Sequence, residues 1–453
     1  MAIRLASKTN RSEDASNGRK PMKRHIFVDN FRGFSNTYVP IADVNFLVGQ
    51  NSTGKTSLLL LLKLLSSPRL LMSRDFGGED VDLGHFNDVV SAHAEDRTYF
   101  RIGSIDERYP NKRTAAVGSL LTYREHDGLP RLESLTYAMD KNEVHLIFKG
   151  EEVWYKAGTR SQSLANSGVV ETIESWIREH VQGPRGWERL QLPKGVLRSE
   201  LPVGLLLSWV SDHNRRDGSN ALPVFYHQGP PIVWVAPIRT KPRRTYDEPS
   251  AAFSSEGSHT PYVIRRMLSS GTEAKKFSEF IEKVGRASGL FQSIKIKRFG
   301  DDAAGPFEVD AILDSQPLNL NMVGYGVSQS LPILVELLDR PAGSWFAIQQ
   351  PEVHLHPLAQ AALGDVFFEM AVTDRKRFFI ETHSDFAIDR FRMNYRGRRR
   401  ANAPESQILF FERQKSRNTV TPIPIGPHGE LPSDQPEGYR HFFVKEEMRL
   451  LGL

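Results

Sequence analysis

Apolar and polar positions change period several times along the chain, and each change predicts an element. From Arg24 to Gly49, RHIFVDNFRGFSNTYVPIADVNFLVG alternates, with Asn36 and Pro40 as punctuation, and so predicts two or three strands. The last of them, VNFLV (Val44 to Val48), is a short buried strand, and SLLLLLKLL (Ser57 to Leu65) reads as a buried helix. After Pro68 a loop rich in glycine and aspartate leads to TAAVGSLLTYREHD, RLESLTYAMD and EVHLIFKGEEVWYK, three stretches that predict a meander of hairpins. Helical spacing takes over in VVETIESWIREHV and ELPVGLLLSWVSDHNRR. PPIVWVAPIR (Pro230 to Arg239) returns to a buried strand. A long polar loop, TKPRRTYDEPSAAFSSEGSHTP, follows, of a length more often functional or disordered than structural. AKKFSEFIEKVGRASGL predicts an amphipathic helix, and SIKIKRFG with FEVDAILD a hairpin.

These changes divide the chain into a disordered tail (1–23), an N-terminal lobe (24–160), a helical insertion (161–230), a C-terminal lobe (231–430) and a C-terminal helical cap (431–453). The expected class is α/β.

Between the buried strand and the buried helix lies GQNSTGKTS, from Gly49 to Ser57, which fits G-x-x-x-x-G-K-[ST] at Gly49, Gly54, Lys55 and Thr56. Strand, glycine turn and helix together expose successive backbone N–H groups at a helix N-terminus, where phosphates bind. Asn51, Ser52, Thr53, Gly54, Lys55, Thr56 and Ser57 are the candidate ATP contacts. Lys55 would reach the β and γ phosphates, and the Thr56 hydroxyl would ligate Mg²⁺.

Three later stretches complete the pattern. In NMVGYGVSQSLPILVELL a glycine turn with Gly324, Gly326, Ser328 and Gln329 feeds an apolar helix, a second anion site. In GSWFAIQQPEVHLHP an apolar strand ends in Gln349, Gln350, Pro351 and Glu352. In RFFIETHSDFAIDRF another ends in Glu381, Thr382, His383 and Ser384, with His383 placed to hydrogen-bond a γ-phosphate. Arg32, near the end of the first strand, is either a phosphate contact or a surface residue.

The length, 453 residues, gives ample material for a large core with an insertion, or for two lobes. No apolar run reaches the roughly 18 residues of a membrane span. The N-terminal segment lacks the apolar core of a secretory signal. Cysteine is absent, which excludes disulfides and thiolate metal sites and agrees with the cytoplasmic location expected here. A net charge of +5 leaves a nucleic-acid partner open without requiring one.

The order of these four motifs resembles the ABC-type ATPase heads of the SMC, RecF and OLD group, over roughly residues 24–150 and 232–430. It is closer still to standalone antiphage-defence ATPases such as the ATPase subunits of the Septu and PARIS systems. The resemblance implies a P-loop head with a mixed sheet and a flanking antiparallel sub-sheet. It implies that Gly326, Ser328 and Gln329 act in trans on a nucleotide held by a second copy, in a homodimer or larger homo-oligomer. His383 matches the switch histidine, and Arg32 an arginine that contacts phosphate.

Relatives commonly carry acids at the end of the Walker B strand, where this chain has glutamines. Gln349 stands at the Mg²⁺ ligand and Gln350 at the catalytic base, and an amide cannot take a proton from water. Glu352 and Glu381 are the acids that could substitute. His354 and His356 suggest a metal pair or loop-shaping residues at the dimer interface, and RFRMNYRGRRR (Arg390 to Arg400) either a phosphate-tracking surface or a solvated helix end. After Phe411 about forty residues remain, too few for the nuclease domain of the OLD enzymes, so any effector is expected to be a separate protein. The expectation is an ATP-binding sensor and scaffold with slow hydrolysis. A RecF-like ATPase remodelling DNA is the alternative.

Overall fold

The computed structural model describes residues 23–67, 84–107, 116–181, 186–192, 201–216, 231–248, 252–269, 271–300, 305–397 and 403–443. The polar N-terminal tail, the arginines at 398–400 and the chain beyond 443 lie outside these residues.

The strands β1 (Lys23–Asp29) and β2 (Thr37–Ile41) pair antiparallel, and β3 (Val44–Gly49) leads through the glycine turn into α1 (Lys55–Ser66). A single turn, α2 (Phe86–Val89), precedes the meander β4 (Tyr99–Glu107), β5 (Val117–His126), β6 (Leu129–Met139), β7 (Asn142–Lys149) and β8 (Glu152–Thr159). Next come α3 (Val169–Val181), the two-residue β9 (Glu188–Arg189), α4 (Val203–Arg216) and β10 (Ile232–Val235). The helices α5 (Thr260–Ser269) and α6 (Gly271–Ser288) lead to β11 (Ser293–Arg298), β12 (Phe307–Leu313) and β13 (Gln316–Asn319). The last third alternates: α7 (Tyr325–Asp339), β14 (Trp345–Gln349), α8 (Pro357–Thr373), β15 (Arg377–Glu381) and α9 (Asp385–Met393). The hairpin β16 (Ser406–Gln414) and β17 (Arg417–Ile425) and the short α10 (Glu437–Phe442) close it.

Three sheets result. The central one has the order β10-β14-β15-β3-β16-β17, and all its ladders are parallel except that between β16 and β17. The eight-stranded sheet, β2-β1-β4-β5-β6-β7-β8-β9, is antiparallel throughout, and β11-β12-β13 form a small third sheet. This is a mixed α/β architecture, a mostly parallel central sheet flanked by an antiparallel sub-sheet. At the β5–β6 hairpin Asp127 and Gly128 both have positive φ (53° and 79°), as a two-residue turn matching the strand twist requires.

A parallel strand covered on both faces must be apolar on both, and β3 is buried along its whole length. Val44, Phe46 and Val48 face one core, shared with α5 to α9, while Leu47 faces another, shared with α1, α4 and the eight-stranded sheet. Because α1 lies between two sheets, six of its seven leucines, at 58, 59, 61, 62, 64 and 65, are buried. Each such side chain contributes about 1.5–3 kcal/mol by leaving water. A third cluster seats Ile173 and Trp176 of α3 against Phe27, Ile105 and Leu120 on the far face of the eight-stranded sheet.

The polar residue on β3, Asn45, is fully buried and fully satisfied. Its amide donates to the Ala42 and Phe378 carbonyls (2.9 and 3.1 Å) and accepts from Ala42 N and Gln407 Nε2 (2.9 and 2.8 Å). Its bonds to Phe378 and Gln407 tie the P-loop strand to both neighbours, so a slip in register would strand two buried bonds. The sequence placed a helix after Gly324, and that helix continues through Pro332 despite the missing N–H. The long polar loop after β10 is anchored where it is described: Thr240 N bonds Glu256 O (2.8 Å), and Tyr246 and Phe307 exchange backbone hydrogen bonds at 2.9 Å.

Beneath α3, His180 bonds Ser134 Oγ and Thr136 Oγ1, both at 3.0 Å. Burial, assisted by His145 and Arg101, pushes the His180 imidazole down to about 3. An unfolded histidine takes up its proton near pH 6.5, so between those two values the unfolded chain holds more protons and stability falls as the pH falls. The urea midpoint is therefore expected to be lower at pH 5 than at pH 7. His180→Gln should reduce that difference, and an unreduced difference would show that His180 is not its source.

Candidate nucleotide-binding site

The glycine turn between β3 and α1 takes its shape from positions where a side chain cannot fit. Gly49 has φ 147°, and a Cβ there would collide with the Phe411 carbonyl on the adjacent strand β16. Gly54 has φ 99°, and a Cβ there would enter the ring of Phe34. Ser52 takes the left-handed region without being glycine (φ 61°), a conformation that costs roughly 1–2 kcal/mol. Its carbonyl is held by Arg413 Nη2 at 2.9 Å. Thr53 Oγ1 donates to Gln50 O at 2.7 Å.

The first turn of α1 has no side-chain cap and no acidic residue. Its unpaired N–H groups and the positive end of its dipole are therefore left for an anion. Asn51 and Ser52 are exposed, Ser57 is half-buried, and Lys55 is buried behind the loop. Lys55 Nζ donates to the carbonyls of Gly49 and Gln50 at 2.8 and 2.7 Å. Burial holds this ammonium below its usual value, and Glu381 opposes that shift. The cation sits in a cradle of backbone oxygens that phosphate oxygens can replace.

The carboxyl group missing from the end of β14 is supplied by the neighbouring strand. Parallel pairing sets Gln349 beside Glu381, and the Gln349 amide donates to Glu381 Oε2 at 3.0 Å. Thr56 Oγ1 lies 3.2 and 3.5 Å from the two Glu381 oxygens. A hydroxyl and a carboxylate at the edge of a phosphate loop are the hard oxygen donors Mg²⁺ takes alongside phosphates and waters, so these residues fit that ion. Gln349 acts here as a donor that orients Glu381. Gln350 turns with positive φ (42°), and its N–H donates to Glu381 O at 2.7 Å.

Glu352 is engaged differently. Its two oxygens accept from Thr382 Oγ1 (2.8 Å) and from the His383 backbone N–H (2.7 Å), which ties the turn after β14 to the end of β15. His383 is half-buried and held below its usual value, by burial first and then by Lys55, against Glu352 and Glu381. It is therefore neutral near pH 7. Gln350, Glu352, Glu381 and His383 thus gather at the ends of two adjacent strands, facing the P-loop.

The structure does not bring the second glycine turn to the same place. Ser328 Oγ bonds Tyr325 O at 3.0 Å, and a Cβ on Gly326 would press on the His354 carbonyl at 3.0 Å. Gln329 clasps the backbone of Arg239, accepting from its N–H at 3.3 Å and donating to its carbonyl at 3.4 Å. Among the described residues no hydrogen bond joins Gly326, Ser328 or Gln329 to the P-loop. Arg32 lies on a tight turn (φ 43°) with Nε donating to Asp88 O at 3.3 Å, and Asn418 links that turn to the back of Gly54.

Two further expectations are decided by what the side chains touch. Phe391 and Tyr395, which interleave with the arginines after β15, are core residues at 0% and 4% exposure and cannot stack on bases. Arg390 pairs with Asp365, and Arg392 with Asp389. His354 stacks near Tyr325, and His356 caps α8 by accepting from Ala359 N. Among the described residues no group of three or more histidine, cysteine or acidic side chains could hold a metal. Sequence reasoning missed Arg239, Arg413 and Asn418, for which the local pattern carries no signal. No described helix is long and apolar enough to cross a membrane.

Residues 83–389 match the family model described as "AAA domain, putative AbiEii toxin, Type IV TA system", and residues 22–108 the model described as "AAA ATPase domain". No curated protein matches the chain. Among solved structures, it is similar to an SMC head bound to the C-winged helix domain of ScpA (13% identity, 89% of this chain and 98% of that one, TM-score 0.42). It is also similar to the SMC head domain from Thermotoga maritima (11% identity, 88% and 98%, TM-score 0.36). A third is the Smc head domain with an extended coiled coil bound to the C-terminal domain of ScpA from Pyrococcus furiosus (11% identity, 95% and 100%, TM-score 0.41).

Lys55→Ala removes the cation of the cradle and is expected to abolish binding of a labelled ATP analogue at equilibrium. Unchanged affinity in a folded variant would contradict the assignment of the loop.

Proposed function

Because the chain belongs to the AAA-domain ATPase family whose model spans residues 83–389, we propose that it is an ATP- and Mg²⁺-dependent switch of a prokaryotic antiphage defence system. In this reading it senses a trigger, acts as a scaffold and restrains a separate effector, of which a nuclease is the leading kind. The name of the matched family, a putative toxin of a type IV toxin–antitoxin system, supports a two-component setting.

One observation carries the switch reading: among the described residues one carboxylate bonds Thr56, and it is Glu381. A bound Mg²⁺ would neutralise charge on the phosphates. Lys55 would exchange the Gly49 and Gln50 carbonyls for phosphate oxygens, Thr56 and Glu381 would hold the ion, and Gln349 would keep Glu381 aligned. With Glu381 committed to the cation, deprotonating a water falls to Gln350, Glu352 or His383. Gln350 cannot accept a proton, and Glu352 already spends both oxygens on Thr382 and His383, which leaves His383, whose imidazole burial makes a weaker base than a free histidine. Loss of a positioned base typically slows a reaction about 10²- to 10⁴-fold. Binding is then retained while turnover is slow, which suits a switch and handicaps a DNA-remodelling motor.

In the nucleotide-bound form two heads would sandwich ATP, with Gly326 and Ser328 meeting the triphosphate of the second copy. Their separation from the P-loop of their own chain supports this arrangement. Gln329, held on Arg239, would act indirectly.

Restoring acids with Gln349→Asp and Gln350→Glu is expected to raise phosphate release at least tenfold, dependent on Lys55. An unchanged or lower rate in a variant that still binds ATP would contradict the account of the site.

A further inference from the structure

The strand β10 lies at the edge of the central sheet beside β14, and four residues past its end Arg239 turns inward to 4% exposure. Its guanidinium makes one hydrogen bond, from Nη2 to the Gln349 carbonyl at 3.1 Å, while Nε and Nη1 are enclosed without a partner. Burial lowers its pKa to about 10, against the pull of Glu352, so it remains charged at neutral pH. Buried donors are almost always paired, and an enclosed cation with two idle donors opposes folding. A group retained only for stability would not be left in this condition.

What Arg239 connects explains why it is kept. Thr56 bonds Glu381, Gln349 bonds Glu381 through its amide, and Arg239 bonds the Gln349 carbonyl. On its other side the Arg239 backbone is clasped at both N–H and carbonyl by Gln329, at the start of the second turn of α7. These contacts run unbroken from the P-loop threonine to the helix whose glycine turn would meet a second copy's nucleotide.

We propose that Arg239 is the positioning residue through which triphosphate and Mg²⁺ at Glu381 set the orientation of the Gly326–Ser328 turn of the same chain. The proposal rests on the reading of the P-loop as an ATP site. When Glu381 and Gln349 shift to accommodate the cation, Arg239 shifts with them, and Gln329 transmits the movement to α7. The two idle donors give the guanidinium a second set of bonds to make, and the Glu352 carboxylate is an anion whose charge already acts on it. The charge is therefore undersatisfied in one state and paired in the other, which biases an equilibrium between two arrangements. A planar fork with five donors can keep Gln349 while gaining Glu352, which a lysine ammonium, a single compact charge, is poorly shaped to do.

The test is Arg239→Met in the full chain, read three ways: thermal midpoint without nucleotide, affinity for a labelled ATP analogue, and sedimentation with ATP–Mg²⁺ against ADP–Mg²⁺. The expected result is an unchanged or raised midpoint, affinity within about threefold of wild type, and loss of the ATP-dependent association. Arg239→Lys should not restore it. Wild-type association in the Met variant overturns the proposal. So does loss of ATP affinity together with association, which would make Arg239 part of the phosphate site itself. If the Met variant does not fold, Arg239→Gln is measured in its place, with the same outcomes. A wild type that binds no ATP would defeat the P-loop reading and this link with it, and the binding measurement separates that failure from a failure of the link alone.

Discussion

A carboxylate at 7% exposure must be paired, and the pairing of Glu381 is the constraint on which the site depends. It reaches the end of β15 because β14, β15 and β3 run parallel in fixed register, with Gln349 opposite Glu381 and Glu381 opposite Leu47. Thr56 and Gln349 supply its hydrogen bonds, and Lys55 supplies nearby positive charge. A divalent cation at this point would take the Glu381 carboxylate and the Thr56 hydroxyl as hard oxygen ligands and supply the opposite charge that a buried carboxylate requires. The same geometry places Glu381 where a metal would take it and, among the described residues, leaves His383 as the proton acceptor of the cluster that neither a metal nor two hydrogen bonds would claim.

The rest of the molecule holds that register. Two cores press on opposite faces of the central sheet, and Asn45 locks the middle strand to its two neighbours with one bond to each. Slippage by one residue would turn Phe46 and Val48 onto the wrong face and part Thr56 from Glu381. The eight-stranded sheet covers α1 from the far side, so the helix that presents the phosphate site is clamped along its length. Stability and chemistry share one requirement, the parallel alignment of three short strands.

What could be read in the sequence follows from how local each feature is. The P-loop was legible because strand, turn and helix are contiguous, and its glycines answer steric demands within one turn. The meander and the amphipathic α6 were legible from their periods. The role of Glu381 was not, because its contact with Thr56 spans 325 positions and exists only once β15 has paired with β3. The same holds for Gln329, read as a nucleotide contact and found clasping Arg239. The aromatics among the arginines after Arg390 misled because spacing alone does not distinguish a stacking surface from the core face of α9. The apolar helix read through Pro332 is continuous because burial of α7 from Val327 to Leu337 outweighs one absent hydrogen bond.

The central claim is that this head holds ATP rather than consuming it, and identifying the nucleotide in the assembled species tests it most directly. Wild-type protein is incubated with ATP and Mg²⁺, the associated form is separated by size, and its nucleotide is extracted and identified. The account predicts intact ATP, in an assembly that Ser328→Arg disrupts. Recovery of ADP with phosphate released at ordinary ATPase rates, both abolished by Lys55→Ala, would contradict it.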